Sequence, residues 1–178
     1  MPAPASRPEL VEVPPMLKPE QLGELGRVAN GWNARTPLTP FEEYLLRVTS
    51  LGNTVRQVAR RMEVDPKLVH SVREIVPVKL GVPNLAAAVD YGFQNGILLA
   101  SPQPNSNVNR SLTLLDTIQL GYWARGLGDA AIAAKVGRQI PTITSNGNGL
   151  LEKIGAWNRP HAIRRGYRLG LFAVKAAG

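Results

Sequence analysis

The sequence predicts an all-α protein made of two four-helix modules in tandem, preceded by a disordered N-terminus and one short helix. Two observations carry this prediction. Apolar residues recur at helical spacing in short segments that begin at capping residues and end at glycines. The pattern of the first half of the chain then returns in the second half. With 178 residues, of which 44% are hydrophobic, the chain can bury a core.

An internal repeat organises the chain. When the sequence is displaced by 74 residues, positions 38–98 fall on positions 112–172 without a gap, and twelve of the 61 positions are identical. Twelve identities alone could arise by chance, but the register also preserves glycines and aliphatic positions, which favours duplication. We name these stretches repeat one and repeat two, and we predict that the second domain spans 112–174.

Three segments lie outside the repeats. Residues 1–16 contain five prolines, which predicts a disordered arm. Residues 17–37 are predicted to be a short helix and a connector, because 17–33 carries apolar residues at helical spacing, and this helix is expected to dock on repeat one. Residues 99–111 combine proline, serine and asparagine without periodicity, which predicts a linker.

Capping signals predict the helices of repeat one. Thr39 suits an N-cap, Pro40 suits the first helical position, Glu42 stands where a capping box needs it, and Gly52 ends the helix. The stretch "TVRQVARRM" follows, with apolar residues at i, i+3, i+4 and i+7. A third helix begins at the aspartate and proline of "DPKLVHSVREIV", and "NLAAAVDYGFQNG" predicts a fourth helix that ends at Asn-Gly.

Repeat two has matching pieces. Thr113 and Asp116 form the same capping signal, and the next three helices are predicted in "DAAIAAKV", "PTITSNGNGLLEKI" and "RPHAIRRGYRLG". Four short helices with short turns match a helix-turn-helix module. Each glycine inside the third helix should cost about 1 kcal/mol relative to alanine. On a helical wheel Gly147 faces inward, where it would let the second, scaffold helix approach, and Gly149 lies on the flank.

Several segments with the same order and spacing carry a resemblance to a known family. They are "LTPFEEYLL", "VARRM", "KLGV" and "AAAV" in repeat one, and "GLGDAAIAAKVG", "TITSN", "KIGAWNRPHAI" and "RLGLF" in repeat two. Both repeats resemble the LuxR-type helix-turn-helix domain of bacterial response regulators. The resemblance implies an all-helical fold and sequence-specific binding of double-stranded DNA, usually as a dimer, with the third helix in the major groove. Family members usually carry a receiver or sensing domain upstream, and the 37 residues before repeat one are too few for one.

In repeat one the family's contact positions fall on the outward side of the third helix. They match His70, Ser71 and Glu74, and Lys67 lies on the same side of the wheel. His70 and Ser71 can hydrogen-bond DNA, whereas Glu74 faces phosphate unfavourably unless it accepts from a cytosine amino group. The alternative for His70 is a core histidine. Pro77 lacks an N–H, which predicts that the helix kinks or ends just before it.

In repeat two the same positions match Thr144, Ser145 and Asn148. All three side chains are neutral and can hydrogen-bond, and asparagine is a good partner for adenine. Asp129 and Glu152 are interpreted as an ordinary cap and an ordinary surface residue.

The fourth helix of repeat two carries a basic stripe. His161, Arg164, Arg165 and Arg168 recur at i, i+3, i+4 and i+7. One interpretation is a solvated helix face; the other is a phosphate-binding stripe or a patch for an acidic protein. The family's fourth helix often mediates dimerisation, and three arginines on it would repel their own copy.

Composition narrows the class of protein. The net charge is +8, and residues 99–178 hold ten basic but only three acidic groups, which favours a polyanionic partner. The chain has no cysteine, which excludes disulfides and cysteine-based zinc sites. It lacks an apolar run long enough for a membrane span and an N-terminal signal peptide, so we expect a cytoplasmic, nucleoid-associated protein. With two histidines and no phosphate loop or metal-ligand spacing, we expect neither an enzyme nor a cofactor.

These patterns favour a transcriptional regulator whose partner is double-stranded DNA. The two modules would read two half-sites about 34–36 Å apart. The alternative is a protein-interaction adaptor or inhibitor that keeps the fold while repeat one has lost DNA reading, as Glu74, Pro77 and the nearly neutral charge of repeat one suggest. Residues 17–33 and repeat one are the expected surface for a homodimer or a protein partner.

Overall fold

The helices follow the capping signals of the sequence. A computed structural model describes residues 37–99, 103 and 106–174, so the predicted arm 1–16 and the predicted helix 17–33 lie outside the described residues. The described part is all-helical and contains no strand. Its helices are α1 (Pro40–Ser50), α2 (Val55–Met62), α3 (Pro66–Leu80), α4 (Leu85–Gln94), α5 (Ser106–Ser111), α6 (Leu114–Ala124), α7 (Asp129–Val136), α8 (Ile140–Ile154) and α9 (Arg159–Arg168).

The helix bounds recur at the displacement found in the sequence. Each bound of α1 to α4 returns 74 residues later as a bound of α6 to α9. The left-handed residues that end the helices recur as well. Glu63 ends α2 with a φ of 54° and Gly137 ends α7 with a φ of 64°, while Gly81 and Gly155 end α3 and α8. The two repeats therefore have helices of the same length in the same order.

The predicted capping boxes at the start of both repeats are confirmed. The backbone N–H of Thr39 donates to the Glu42 carboxylate at 2.7 Å, and the Glu42 N–H donates back to the Thr39 hydroxyl at 3.3 Å. Thr113 and Asp116 make the same two bonds at 2.8 and 3.1 Å. Each box satisfies N–H groups that the first turn of a helix leaves unpaired.

An ion pair then ties the first helix of each repeat to the end of the third; both partners are buried in repeat one, whereas Lys153 is exposed in repeat two. Lys79 Nζ lies 2.6 Å from the carboxylate of Glu42, and Lys153 Nζ lies 2.7 Å from the carboxylate of Asp116, the equivalent residues of repeat two. Burial alone would raise the pKa of Asp116, but hydrogen bonds from Lys153 and Thr113 together hold it below its usual value. These pairs fix the third helix against the first.

Of the two outcomes predicted at Pro77, a kink or an end of the helix, the end is wrong. The third helix of repeat one continues through Pro77 to Leu80, because the buried side chains of Val76 and Lys79 hold it on both sides of the proline. That anchoring offsets the roughly 3 kcal/mol that a proline costs inside a helix. The predicted linker 99–111 contains α5, where half-buried Val108 packs against the core and the helix contacts α8.

The two repeats pack against each other in a reciprocal manner. The fourth helices α4 and α9 contact each other, and each also contacts the first helix of the other repeat, α6 or α1. Asn84 Nδ2 donates to the carbonyl of Gly126 at 2.8 Å, and the equivalent Asn158 Nδ2 donates to the carbonyl of Gly52 at 3.3 Å. Such an exchange of equivalent contacts is the pattern of a two-fold interface, here within one chain.

Close approach at the two glycine turns also follows this pattern. A Cβ on Gly52 would come within 2.8 Å of both Trp157 and His161. On Gly126 a Cβ would come within 3.0 Å of Pro83, and Ala87 lies next to it. Pro83 and Ala87 stand 74 residues before Trp157 and His161, so the same surfaces meet twice with different side chains.

Candidate nucleic-acid interface

The outward face of α3 carries the predicted contact residues of repeat one. Lys67, His70, Ser71 and Glu74 are exposed, whereas Val69, Val72 and Val76 on the opposite side are buried. The side chain of His70 is 67% exposed, so the alternative of a core histidine is wrong. Four polar groups therefore stand free of the core on one helix face.

Some polar groups on this face of α3 already contact one another or the helix backbone. His70 Nδ1 lies 3.6 Å from the carboxylate of Glu74, one helical turn away. The hydroxyl of Ser71 donates to the carbonyl of Lys67 at 3.0 Å. A base or phosphate that approaches α3 must compete with these contacts, and the Glu74 charge opposes that of Lys67.

The outward face of α8 has a different chemistry. Thr144, Ser145 and Asn148 are exposed, while Ile143 and Leu150 are fully buried. The three side chains are uncharged and offer hydroxyl and amide groups, which can both donate and accept hydrogen bonds. Repeat two thus presents a neutral polar face where repeat one presents a charged one.

Gly147 lets another helix approach the inner side of α8. A Cβ at this position would come within 2.8 Å of Gln119 Nε2 and 2.9 Å of Trp123 Cζ2, whereas a Cβ on Gly149 would meet nothing within 4 Å. The inward position of Gly147 is confirmed. The predicted neighbour was wrong: both side chains belong to α6, the first helix of the repeat, and not to the scaffold helix α7.

A buried amide holds the middle of α8. Gln119 Nε2 donates to the carbonyl of Ile143 at 2.9 Å, and Asn146 Nδ2 donates to Gln119 Oε1 at 2.8 Å. Leu45 and Val72 stand at the equivalent positions of Gln119 and Asn146 in repeat one. A satisfied amide pair fixes geometry more strictly than an apolar contact does, so the backbone under Thr144 and Ser145 is held from below.

Asp129 holds the outer side of α8, a role that the sequence interpretation missed. It is not a cap, since Gly128 occupies the N-cap position of α7. The hydroxyl of Thr144 donates to Asp129 Oδ2 at 3.1 Å, and Arg159 Nη2 lies 2.7 Å from Asp129 Oδ1. A signal was present in the sequence: an acid and a base appear together in repeat two where repeat one carries Val55 and Leu85.

The basic stripe of α9 is less open than either interpretation assumed. Four residues form the stripe and each is half-buried, so the stripe is only partly solvated: His161, Arg164, Arg165 and Arg168. Arg165 Nε donates to the carbonyl of Ile154 at the end of α8 at 2.8 Å, and Arg168 Nη2 donates to Gln103 Oε1 at 2.6 Å. Arg164 lines a groove between the repeats together with Glu43 and Arg47 of α1. A phosphate contact by these arginines stays a prediction.

Burial next to these arginines changes the chemistry of His161. Desolvation, reinforced by the charges of Arg165, Arg164 and Arg168, lowers its pKa to about 4. The neutral ring accepts a hydrogen bond at Nδ1 from the Trp157 N–H at 3.2 Å. His161 thus serves the contact with Gly52 as an uncharged group near neutral pH.

Residue types and helix lengths in the described ranges bear on two other features, a metal-ligand cluster and a membrane-spanning helix. Within residues 37–99, 103 and 106–174, no group of three or more histidines and carboxylates is arranged to hold a metal ion. None of the helices in this part of the chain has both the length and the apolar character to cross a membrane.

Comparison with known proteins gives one partial relative. No family model matches the chain, and no solved structure matches it. The chain is similar to the "Putative HTH-type transcriptional regulator Rv0890c" of Mycobacterium tuberculosis (strain ATCC 25618 / H37Rv), with 35% identity over 74 residues. The match covers 42% of this chain and only 8% of that protein, so most of the relative has no counterpart here.

Proposed function

We propose that the chain is a sequence-specific DNA-binding transcriptional regulator with two LuxR-type helix-turn-helix modules, repeats one and two. The observation that carries this proposal is the exposed polar face at equivalent positions of α3 and α8, each opposite a buried apolar face. The similarity to a protein named as a helix-turn-helix regulator supports the same class. In each module the third helix would enter the major groove of double-stranded DNA.

The reciprocal packing supports two half-sites for a single chain. Dimeric helix-turn-helix proteins read two half-sites because a two-fold axis relates their reading helices. Here α4 and α9 pack together within one chain, and the resemblance to the LuxR family makes the fourth helix its usual dimer contact. One chain would therefore do what two family members do. Its operator would be an imperfect palindrome, because the contact residues of α3 and α8 differ.

Phosphate contacts would come from exposed basic groups beside the reading helices. Lys67 is exposed in the first turn of α3, and Arg138 is exposed in the turn before α8. Arg164, Arg165 and Arg168 are second candidates, because each retains a partly exposed side chain. Phosphate contacts fix register and affinity but carry no base information.

Gel-shift titration of the full chain on duplexes selected from a random pool tests the proposal. Binding should weaken steeply between about 50 and 200 mM salt, because lysine and arginine contacts release counterions. Arg138→Gln should weaken all duplexes alike and reduce the salt slope by about one. Asn148→Ala should instead weaken the selected duplex and leave random duplexes nearly unaffected. A chain that shifts no duplex even at low salt would refute the proposal.

A second candidate is the adaptor or inhibitor in which repeat one no longer reads DNA. The pairing of His70 with Glu74 favours it, because the pair occupies the face that would meet the bases. The double variant His70→Ala with Ser71→Ala separates the two in the full chain. If repeat one reads DNA, half of the selected motif loses its base preference; if it does not, the motif stays as it was.

A further inference from the structure

The hydroxyl hydrogen of Thr144 already takes part in a hydrogen bond within the protein, to the carboxylate of Asp129. The side chain of Thr144 lies on the exposed face of α8, and Oγ1 lies 3.1 Å from Asp129 Oδ2. An ionised carboxylate only accepts hydrogen bonds, so in this pair the hydroxyl is the donor. The hydroxyl oxygen keeps lone pairs that can accept a hydrogen bond, and the exposed side chain also carries a methyl group.

The carboxylate that receives this hydrogen is itself fixed. Arg159 Nη2 lies 2.7 Å from the second oxygen, Oδ1, and the side chain of Asp129 is 18% exposed. The guanidinium of Arg159 in turn lies over the ring of Trp123, 5.0 Å from the centroid, and Trp123 is 2% exposed. A chain of contacts therefore runs from the core of repeat two to the hydroxyl of Thr144.

Repeat one has no residues equivalent in chemistry to Asp129, Arg159 and Thr144. The equivalents of Asp129, Arg159 and Thr144 are Val55, Leu85 and His70. Two of the three are apolar, so nothing at these positions can orient a hydroxyl on the reading face. Of the two reading faces, only that of α8 therefore has a hydroxyl held by a carboxylate in this way.

We infer that Asp129 sets the base preference of α8 by holding Thr144 as a hydrogen-bond acceptor. The inference rests on the proposed function, in which α8 enters the major groove. An acceptor suits the amino groups of adenine N6 and cytosine N4, whereas guanine offers only the acceptors O6 and N7 there. The methyl group of Thr144 can also contact the methyl of thymine. Asp129 is a positioning residue, since it acts on DNA through Thr144.

Selection of duplexes from a random pool, with the full chain and two variants, tests the inference. The wild-type motif should contain one position where an amino-bearing base is favoured over guanine. Asp129→Ala frees the hydroxyl to donate, so guanine should gain about two- to tenfold at that position, the worth of one hydrogen bond. Thr144→Val keeps the shape without the hydroxyl and should abolish the preference at the same position. The other positions of the motif should not change.

Matched variants separate orientation from folding. Asp129→Val introduces the residue that repeat one carries at Val55 and replaces Asp129→Ala if the alanine variant is unstable. Arg159→Leu introduces the residue found at Leu85 and removes the ion pair while leaving Asp129 beside Thr144. Because the carboxylate that accepts the hydrogen remains, the motif of this variant should shift less than that of Asp129→Ala, and a larger shift in Arg159→Leu than in Asp129→Ala would overturn the inference. Thr144→Ser should retain the preference.

The outcomes distinguish this inference from the proposed function. If the wild-type chain enriches no motif, the proposed function fails and the inference fails with it. If the wild type enriches a motif that Asp129→Ala leaves unchanged, the proposed function stands and the inference is wrong. A purely structural role for Asp129 would lower binding to all duplexes alike without moving the preference at one position.

Discussion

Phe93 and Tyr167 occupy equivalent positions of the two repeats, and their rings pack on each other with centroids 4.4 Å apart and planes inclined by 31°. A residue that meets its own counterpart lies on the axis that relates two halves of an assembly. The contact therefore marks the pseudo-two-fold axis of the chain, between α4 and α9. The hydroxyl that distinguishes Tyr167 from Phe93 donates to Asp90 Oδ1 at 2.8 Å and accepts from Gln94 Nε2 at 2.5 Å. Both partners belong to the other repeat.

Tyr167→Phe should destabilise the chain, although both equivalent positions at the axis would then carry phenylalanine. The ring contact with Phe93 survives, but one hydrogen bond to Asp90 and one to Gln94 are lost. At roughly 0.5–1.5 kcal/mol for each bond, the free energy of unfolding should fall by about 1–3 kcal/mol. Denaturant unfolding measures the change. Tyr122→Phe, at a half-buried position of α6, is the control and should cost less than about 0.5 kcal/mol; equal losses would contradict the prediction.

Asn84→Asp should weaken the contact between the repeats without removing a helix cap. Aspartate caps helices as well as asparagine does, so the bonds that Oδ1 of residue 84 accepts from the N–H groups of Ala86 and Ala87 are kept. The new carboxylate cannot donate to the Gly126 carbonyl, so we expect a loss of about 0.5–1.5 kcal/mol, the net worth of one hydrogen bond. Asn158→Asp should cost less, because its bond to Gly52 is longer, at 3.3 Å.

Thermal unfolding of both variants checks this, with Asn95→Asp as the control. Asn95 is exposed like Asn84, but its side chain donates within the same repeat, to the carbonyl of Tyr91. That substitution removes a bond of the same kind without touching the other repeat, and it should lower the melting temperature less than Asn84→Asp does. If it lowers the melting temperature as much as Asn84→Asp does, the contact between the repeats is not what Asn84 contributes.

Local chemistry explains what the sequence could predict. The caps at Thr39 and Thr113 depend on residues three positions apart, and the faces of α3 and α8 depend on helical periodicity alone. Both kinds of signal are written in short stretches of sequence. The continuation of α3 through Pro77 is not, because it depends on Val76 and Lys79 meeting partners elsewhere in the fold.

Contacts between distant residues explain what was missed. Asp129 has Thr144 and Arg159 as partners, 15 and 30 residues further along the chain, and helical periodicity carries no information about such a meeting. The position of the α9 arginines likewise depends on the packing of α9 against α4 and α1. A comparison of the repeats position by position could have indicated the first of these, because Val55 and Leu85 become an acid and a base together.

Gly147→Ala and Gly149→Ala should have opposite effects on stability. At Gly149 the added methyl meets nothing within 4 Å, so the change should gain up to about 1 kcal/mol of helix propensity. At Gly147 the methyl would lie 2.8 Å from Gln119 and 2.9 Å from Trp123. Overpacking of this kind costs about 1–3 kcal/mol, which outweighs the gain.

Denaturant unfolding measures the stability of the two glycine variants, and gel shifts measure their binding to DNA. If α8 reads DNA, Gly149→Ala should leave binding intact or improve it, whereas Asn148→Ala should weaken it. Equal stability of the two glycine variants would contradict the close approach of α6 to α8.

His161 should make the chain less stable as the pH falls below neutrality. Burial, with help from Arg165, lowers its pKa to about 4 in the folded chain, against about 6.5 in an unfolded one. Between these values the unfolded state binds more protons, so stability is complete above about pH 6.5 and declines as the pH falls towards 4. Protonation would also remove the acceptor that the Trp157 N–H uses.

His161→Ala introduces the residue that Ala87 provides in repeat one, and it should flatten the decline of stability with falling pH. Denaturant midpoints from about pH 7 to 4.5 measure it, above the range in which Asp116 titrates. A variant whose stability falls with pH as steeply as that of the wild type would show that the proton is taken up elsewhere.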